Sequence, residues 1–259
     1  RDDPSFAHAV ASIALLCEDR VYVVDATPDF GAQLERLVDV RRAGRGRVDR
    51  RPIDGILLTH AHIGHYLGLA QLGFEVMHTE ATPVWATPRM AAFLRDNGPW
   101  SQLVEQHEID LRELPPGGAV ELCGVTVRPF AVPHRDEYSD TVGYRFEGPR
   151  ATIAYLPDTE PWDRWPTPIE GVLEGVDTLL VDGTFYSADE LPGRAPSTIG
   201  HPLVVDTVAR FERAVAAGLR VVFIHLNHSN PALEPAFAPR RKLEARGFAV
   251  AHEGLELQL

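Results

Sequence analysis

The chain has 259 residues, 44% of them hydrophobic, with 25 basic against 37 acidic side chains and a net charge of −12. That acidity excludes a broad nucleic-acid surface, which needs clustered Lys and Arg, and no run approaches the roughly 18 consecutive apolar residues of a membrane span. Arg1 to Pro4 forms neither a signal peptide nor a lipidation site, so a soluble protein acting on a small molecule is expected, with the cytoplasm favoured and the oligomeric state open.

In chain order, Ala11–Leu16 and Arg20–Asp25 are predicted to form a hairpin, and Gly31–Val40 has the apolar spacing of an amphipathic helix. Ile56-Leu57-Leu58 reads as a buried strand. Tyr66–Leu72 opens a helix, Val84–Ala86 is a short strand, and Pro88–Asp96 is a helix with proline in its first turn. The stretches Trp100–Leu114 and Trp162–Pro168 read as loops that set specificity. Val125–Val132, Thr141–Phe146, Ala151–Leu156 and Thr178–Val181 are β-prone runs that belong to a second sheet. His201–Ala217 reads as a helix ending at Gly218, Arg220–His225 as a buried strand, Glu234–Arg246 as a helix broken early by Pro239, and Phe248–Leu257 as a final strand. Each sheet has one face to pack and one to cover, which gives two mixed β-sheets flanked by helices, an α/β αββα sandwich, as one domain over 1–259. Cys17 and Cys123 sit beside apolar runs, are too few for a disulfide framework or a cysteine metal motif, and are read as buried thiols.

The strongest chemical signal is Thr59-His60-Ala61-His62-Ile63-Gly64-His65, directly behind a strand-like run. His60 and His62 share a face of an extended segment and make a chelating pair. Three further β-like runs each deliver a ligand type at their ends: His134 after Phe130-Ala131-Val132-Pro133, Asp158 after Ile153–Pro157, and His225 after Val221–Ile224. Five histidines and one aspartate suffice for two adjacent ions, with His60, His62 and His134 on one, His65 and His225 on the other, and Asp158 bridging. His8, His78, His107 and His252 lack such company and are read as hydrogen-bonded or surface residues.

The order His-x-His-x-x-His, then His, Asp and His, each after a strand, resembles the metallo-β-lactamase-fold hydrolase superfamily over nearly the whole chain. Asp182-Gly183-Thr184-Phe185 followed by Gly200-His201 is similar to the branch containing ribonuclease Z, the cyclic phosphodiesterase of phosphonate degradation and the pyrroloquinoline quinone biosynthesis protein B. The runs 25–29 and 224–231 most resemble the last of these. Against that pattern the chain has Gly64 where the superfamily has Asp, which removes a carboxylate from the second metal site. It also starts after the first strand and glycine-rich loop of those relatives.

The resemblance implies a hydrolase using one or two divalent ions, Zn²⁺ foremost with Mn²⁺ or Fe²⁺ as alternatives, on phosphodiester-type substrates. Asp158 is expected to orient the attacking water and His201, placed at a helix start by Gly200, to protonate the leaving group. Asp25 and Asp54 are candidate acceptors for ligand imidazoles. Arg135, Tyr138 and His228 are candidate substrate contacts. The competing expectations are an Fe-dependent oxygenase related to quinone-cofactor biosynthesis, a lactone hydrolase, and a noncatalytic binding protein on the same fold.

Overall fold

Val21–Val24 (β2) places four apolar side chains in a row, three of them β-branched, and pairs antiparallel with Ile13–Leu16 (β1), Ile13 opposite Val24. The expected hairpin is therefore present. The structure, a computed structural model, describes residues 8–17, 19–42, 50–193 and 198–259. These fall into two units, Ala9–Gly118 with Asp136–Val142, and Ala119–Arg135 with Gly143–Leu259.

The first unit is built on a five-stranded sheet in the order β1-β2-β3-β4-β5, where β3 is Gly55–Leu57, β4 Thr82–Ala86 and β5 Ile109–Glu113. From β2 to β5 all neighbours run parallel. Parallel neighbours need crossovers. These are supplied by helix α1 (Phe30–Arg42), by the short helix α2 (Ile63–Tyr66) with the 3₁₀ turns after it, and by α3 (Pro88–Asp96) with α4 (Trp100–Glu105). Thr87 caps α3 by accepting the Met90 N–H, and Pro88 fits the first turn because no donor is needed there. Val23, Ile56 and Val84 pack with Phe30, Met90 and Leu94 in one buried cluster, each side chain contributing about 1.5–3 kcal/mol by leaving water.

The second unit has seven strands in the order β12-β11-β10-β9-β8-β7-β6. They are β6 Val120–Leu122, β7 Val125–Val132, β8 Thr141–Glu147, β9 Thr152–Leu156, β10 Thr178–Asp182, β11 Arg220–Ile224 and β12 Phe248–Val250. Strands β9 to β12 are mutually parallel, whereas β8 meets β9 antiparallel. Helix α5 (Val204–Ala216) turns Val204, Val208 and Phe211 toward Leu179, Val221 and Phe223, and α6 (Ala238–Ala245) adds Leu243. Two mixed sheets with flanking helices are the α/β arrangement expected. No helix among the described residues is long and apolar enough to cross a membrane.

Several boundaries differ from the sequence reading for local reasons. The helix expected from His201 starts at Val204, because Leu203 lies in extended backbone before it. Pro239 occupies the first turn of α6 and shortens that helix to eight residues. The last strand stops at Val250. The 100–114 stretch holds α4 and β5 rather than loop, and the 162–168 stretch opens with one 3₁₀ turn, Trp162–Arg164. The cysteines are not buried thiols: Cys17 is half-buried, Cys123 is exposed at a turn with φ 55°, and neither is free.

Candidate metal centre

In the first unit the histidines follow β3 because a carboxylate ends the strand. Asp25, the residue after β2, is fully buried and adopts φ 69°, a left-handed conformation that Asp tolerates better than most. Its N–H still donates to Leu57 O, while its side chain captures the Thr59 N–H at 2.8 Å. The backbone then peels away, Val142 N–H donating to Thr59 O and Ala61 N–H to the Ser139 hydroxyl at 2.8 Å. Helix α2 returns the chain to the strand ends, with Ala26 N–H on His65 O and Gly68 N–H on Ala26 O. A Cβ on Gly68 would lie 2.3 Å from Thr27 O, so only glycine permits this approach.

Three imidazoles converge there. His60 and His65 are buried, their ring centroids 4.2 Å apart, and His62 is half-buried. His65 Nδ1 lies 2.7 Å from Asp25 Oδ2, and His60 Nδ1 lies 3.0 Å from the Thr59 hydroxyl, itself 2.9 Å from the same carboxylate oxygen. His62 Nε2 faces Glu137 Oε2 at 3.2 Å and its Nδ1 faces His60 Nε2 at 2.9 Å. With His60 donating through Nδ1 and His62 through Nε2, the two facing nitrogens both present lone pairs. That contact repels unless a cation or proton is shared between them, and two ligands of one tetrahedral zinc-like ion, each about 2.0–2.1 Å from it, stand about 3.3 Å apart. The loop carrying Glu137 is fastened by Arg89, whose guanidinium donates to Asp136 O at 2.7 Å, and by Thr87, which donates to Asp140.

In the second unit, β9, β10 and β11 end at one edge of the sheet because they are parallel. Asp158 and His225 follow the ends of β9 and β11, and Asp182 closes β10 with Thr184 just beyond it. Asp158 is buried, with Oδ2 3.3 Å from His225 Nε2 and Oδ1 3.4 Å from His201 Nδ1 and 3.9 Å from His134 Nε2. Donor atoms of His134, Asp158 and His201 lie within 4.8 Å of one another. The His225 pair has the spacing of two ligands on one ion, and imidazole with carboxylate is a donor set for zinc-class divalent ions. His225 itself is held at φ 60°, a conformation kept only where the surroundings enforce it.

His201 Nδ1 is committed to Asp182 Oδ2 at 2.8 Å. Burial alone would lower its pKa, but the Asp182 charge and hydrogen bond, joined by the Asp158 charge, outweigh burial and the opposing Arg135 and push it up to about 9. The ring sits in a bend before α5, with the Phe185 ring edge-on at 6.1 Å. His201 is thus placed by Asp182 rather than by a helix start.

The other candidates fall in different places. Asp54 accepts the Val21 N–H at 2.8 Å, at the beginning of β3, whereas the histidines follow its far end. Tyr138 is exposed and its ring lies 5.5 Å from Phe93, in a cluster with Tyr66 and Trp100. Arg135 and His228 are exposed. Of the histidines set aside, His78 is hydrogen-bonded to buried Glu108 at 3.0 Å. Thr59, Glu137, Ser139, Asp182 and Thr184 were not among the candidates. Only the Thr and Asp residues bordering the ligand motifs offered a sequence signal.

Residues 20–246 match the family described as a beta-lactamase superfamily domain. Coenzyme PQQ synthesis protein B of Methylobacterium sp. strain 4-46 is 30% identical over 260 residues, covering 92% of this chain and 83% of that protein. Its counterpart in Methylorubrum populi is 29% identical, covering 98% and 88%. Among solved structures, Zn(2+)-bound PqqB from Methylobacterium extorquens aligns with a TM-score of 0.80 and 25% identity over 97% of this chain and 88% of that one. A diphosphatase from the PhnP family aligns with a TM-score of 0.67 and 23% identity over 99% and 86%. The two mixed sheets and their helices have the metallo-β-lactamase fold.

Proposed function

The chain belongs to the beta-lactamase superfamily, in the branch of coenzyme PQQ synthesis protein B, and from that membership we propose a metal-dependent hydrolase acting on a small phosphoester. His60, His62 and His134 would hold one ion, and His65, His225 and Asp158 a second. The observation that carries this reading is the pair of facing imidazole nitrogens of His60 and His62, 2.9 Å apart with their other nitrogens already bound. Zn²⁺ is the first choice of metal, supported by the zinc-bound relative, with Mn²⁺ and Fe²⁺ as alternatives. Bound there, a divalent ion supplies Lewis acidity and brings the pKa of water from 15.7 to about 7.

The protein's own groups supply the rest. Asp158 accepts from and orients the attacking water. His201, held protonated by Asp182, donates a proton from Nε2 to the departing oxygen while Nδ1–H stays on Asp182. Exposed Arg135 offers a counter-charge to an anionic substrate. Protein loaded with Zn²⁺, Mn²⁺ or Fe²⁺ cleaves bis(p-nitrophenyl) phosphate in this account, and His134→Ala removes the activity. Cleavage unchanged by that substitution sinks the proposal.

The name of the sequence relatives speaks of coenzyme PQQ synthesis, and within such a synthesis the second reading is an iron-dependent oxygenation. Oxygen uptake with Fe²⁺ and a phenolic amino-acid substrate, without phosphodiester cleavage, would select it.

A further inference from the structure

Each unit carries the same hydrogen-bonding device once. In the first, Asp25 Oδ1 accepts the Thr59 N–H at 2.8 Å, and the Thr59 hydroxyl lies 2.9 and 3.0 Å from the two carboxylate oxygens. In the second, Asp182 Oδ1 accepts the Thr184 N–H at 2.9 Å and the Thr184 hydroxyl at 2.7 Å. Both aspartates are fully buried. Each hydroxyl then stands against a histidine Nδ1, Thr59 against His60 at 3.0 Å and Thr184 against His225 at 3.1 Å. Each aspartate Oδ2 takes the Nδ1 of one more histidine, His65 at 2.7 Å and His201 at 2.8 Å.

The threonine contacts favour one proton arrangement. An ionised carboxylate only accepts, so each threonine gives its single proton to the aspartate and turns lone pairs toward the imidazole. The imidazole must answer with Nδ1–H, which leaves the lone pair of the neutral ring on Nε2. In His60 that atom faces His62 Nδ1 and in His225 it faces Asp158 Oδ2, in each case an acceptor against an acceptor that a shared cation relieves. Thr184 Oγ1 also lies 3.3 Å from both His201 Nδ1 and His225 O, but the 2.7 Å contact to a charged oxygen takes its proton.

We propose that Thr59 and Thr184 are positioning residues that lock His60 and His225 in the Nδ1–H form, so that both present Nε2 as ligand before any metal arrives. The role in ligation rests on the metal-centre reading; the proton placement does not. Without the hydroxyl either ring nitrogen can carry the proton, and some of the rings then present the wrong one.

The test is long-range ¹H–¹⁵N correlation of histidine-labelled full-length protein in EDTA, with Zn²⁺ affinity measured beside it by competition with a chromophoric chelator. Wild type should show Nδ1–H for His60 and His225. Thr59→Val should scramble His60 alone and Thr184→Val should release His225, each weakening Zn²⁺ binding by about 10–100-fold. Thr59→Ser and Thr184→Ser, which keep the hydroxyl, should restore both readouts. An Nε2–H form of either ring in wild type, unchanged tautomers in the valine variants, or serine variants that behave like valine would overturn the proposal, and the wild-type spectrum decides even where a valine variant does not fold. Correct tautomers in a wild-type protein that binds no Zn²⁺ would instead contradict the proposed function alone.

Discussion

Asp25→Asn removes one charge and changes almost nothing in shape. Asparagine tolerates φ 69° as aspartate does, so backbone strain does not enter. The carboxylate holds three donors, the Thr59 N–H, the Thr59 hydroxyl and His65 Nδ1–H, all at 2.7–3.0 Å. Hydrogen bonds to a charged group contribute about 1.5–3 kcal/mol each and neutral ones about 0.5–1.5 kcal/mol. An amide has one acceptor oxygen, so one bond is lost and the other two become neutral, a gross loss of about 3.5–6 kcal/mol. Relief from burying a charge offsets part of this, and the net loss of stability is about 2–4 kcal/mol, the range in which single mutations need a named mechanism. Urea unfolding followed by tryptophan fluorescence in EDTA measures it, with the slope unchanged if only stability moves. The amide's NH₂ also competes for His65 Nδ1, so Zn²⁺ affinity should fall by about 10–100-fold. A loss below about 0.5 kcal/mol, the size of an ordinary surface change, would refute the reasoning that Asp25 organises the histidine loop.

Gly64→Asp restores the carboxylate that the superfamily pattern has, and among the described residues a Cβ there meets only Val10 Cγ1, at an ordinary 3.9 Å. Folding stability should stay level or rise slightly as a glycine leaves a helix, while calorimetry should show a second Zn²⁺ bound more tightly; unchanged second-site affinity would remove Gly64 as its limit. Ser139→Ala deprives the buried Ala61 N–H of its acceptor, so denaturant titration should show a loss of about 1–3 kcal/mol. His78→Ala leaves buried Glu108 without its ring partner, and Glu108 Oε2 has none in the described structure. Unfolding should become easier by about 1–2 kcal/mol, and Glu108→Gln in the same background should recover part of it.

The ligand motifs were legible because each lies behind an apolar strand, and strand ends on a parallel sheet share an edge. Gly64 was equally legible as a missing carboxylate, though the free space around it was not. The residues that set ring orientation were hidden for a physical reason: Glu137 reaches His62 from 75 positions away, and Ser139 reaches Ala61 from 78. Asp182 and Thr184 lie inside the run 182–185 that resembles the ribonuclease Z branch, but nothing in a linear pattern says that a carboxylate will hold His201. Asp54 misled because it precedes the histidine-bearing strand closely in sequence, yet a strand separates its two ends in space. Likewise β5, with the alternation Ile109-Asp110-Leu111-Arg112-Glu113, and the six-residue α4 are short and carry enough charge to read as loop.

Whether these histidines and Asp158 hold a divalent ion is read by titrating EDTA-treated protein with Zn²⁺ in a calorimeter and repeating it with His62→Ala and with Asp158→Asn. Wild type should bind at least one equivalent, with an unfolding free energy raised by about 4 kcal/mol at a Zn²⁺ concentration 1,000 times Kd, and both variants should bind far more weakly. Wild-type protein that takes up no Zn²⁺, Mn²⁺ or Fe²⁺, or variants that bind as well as wild type, would contradict the metal-centre reading.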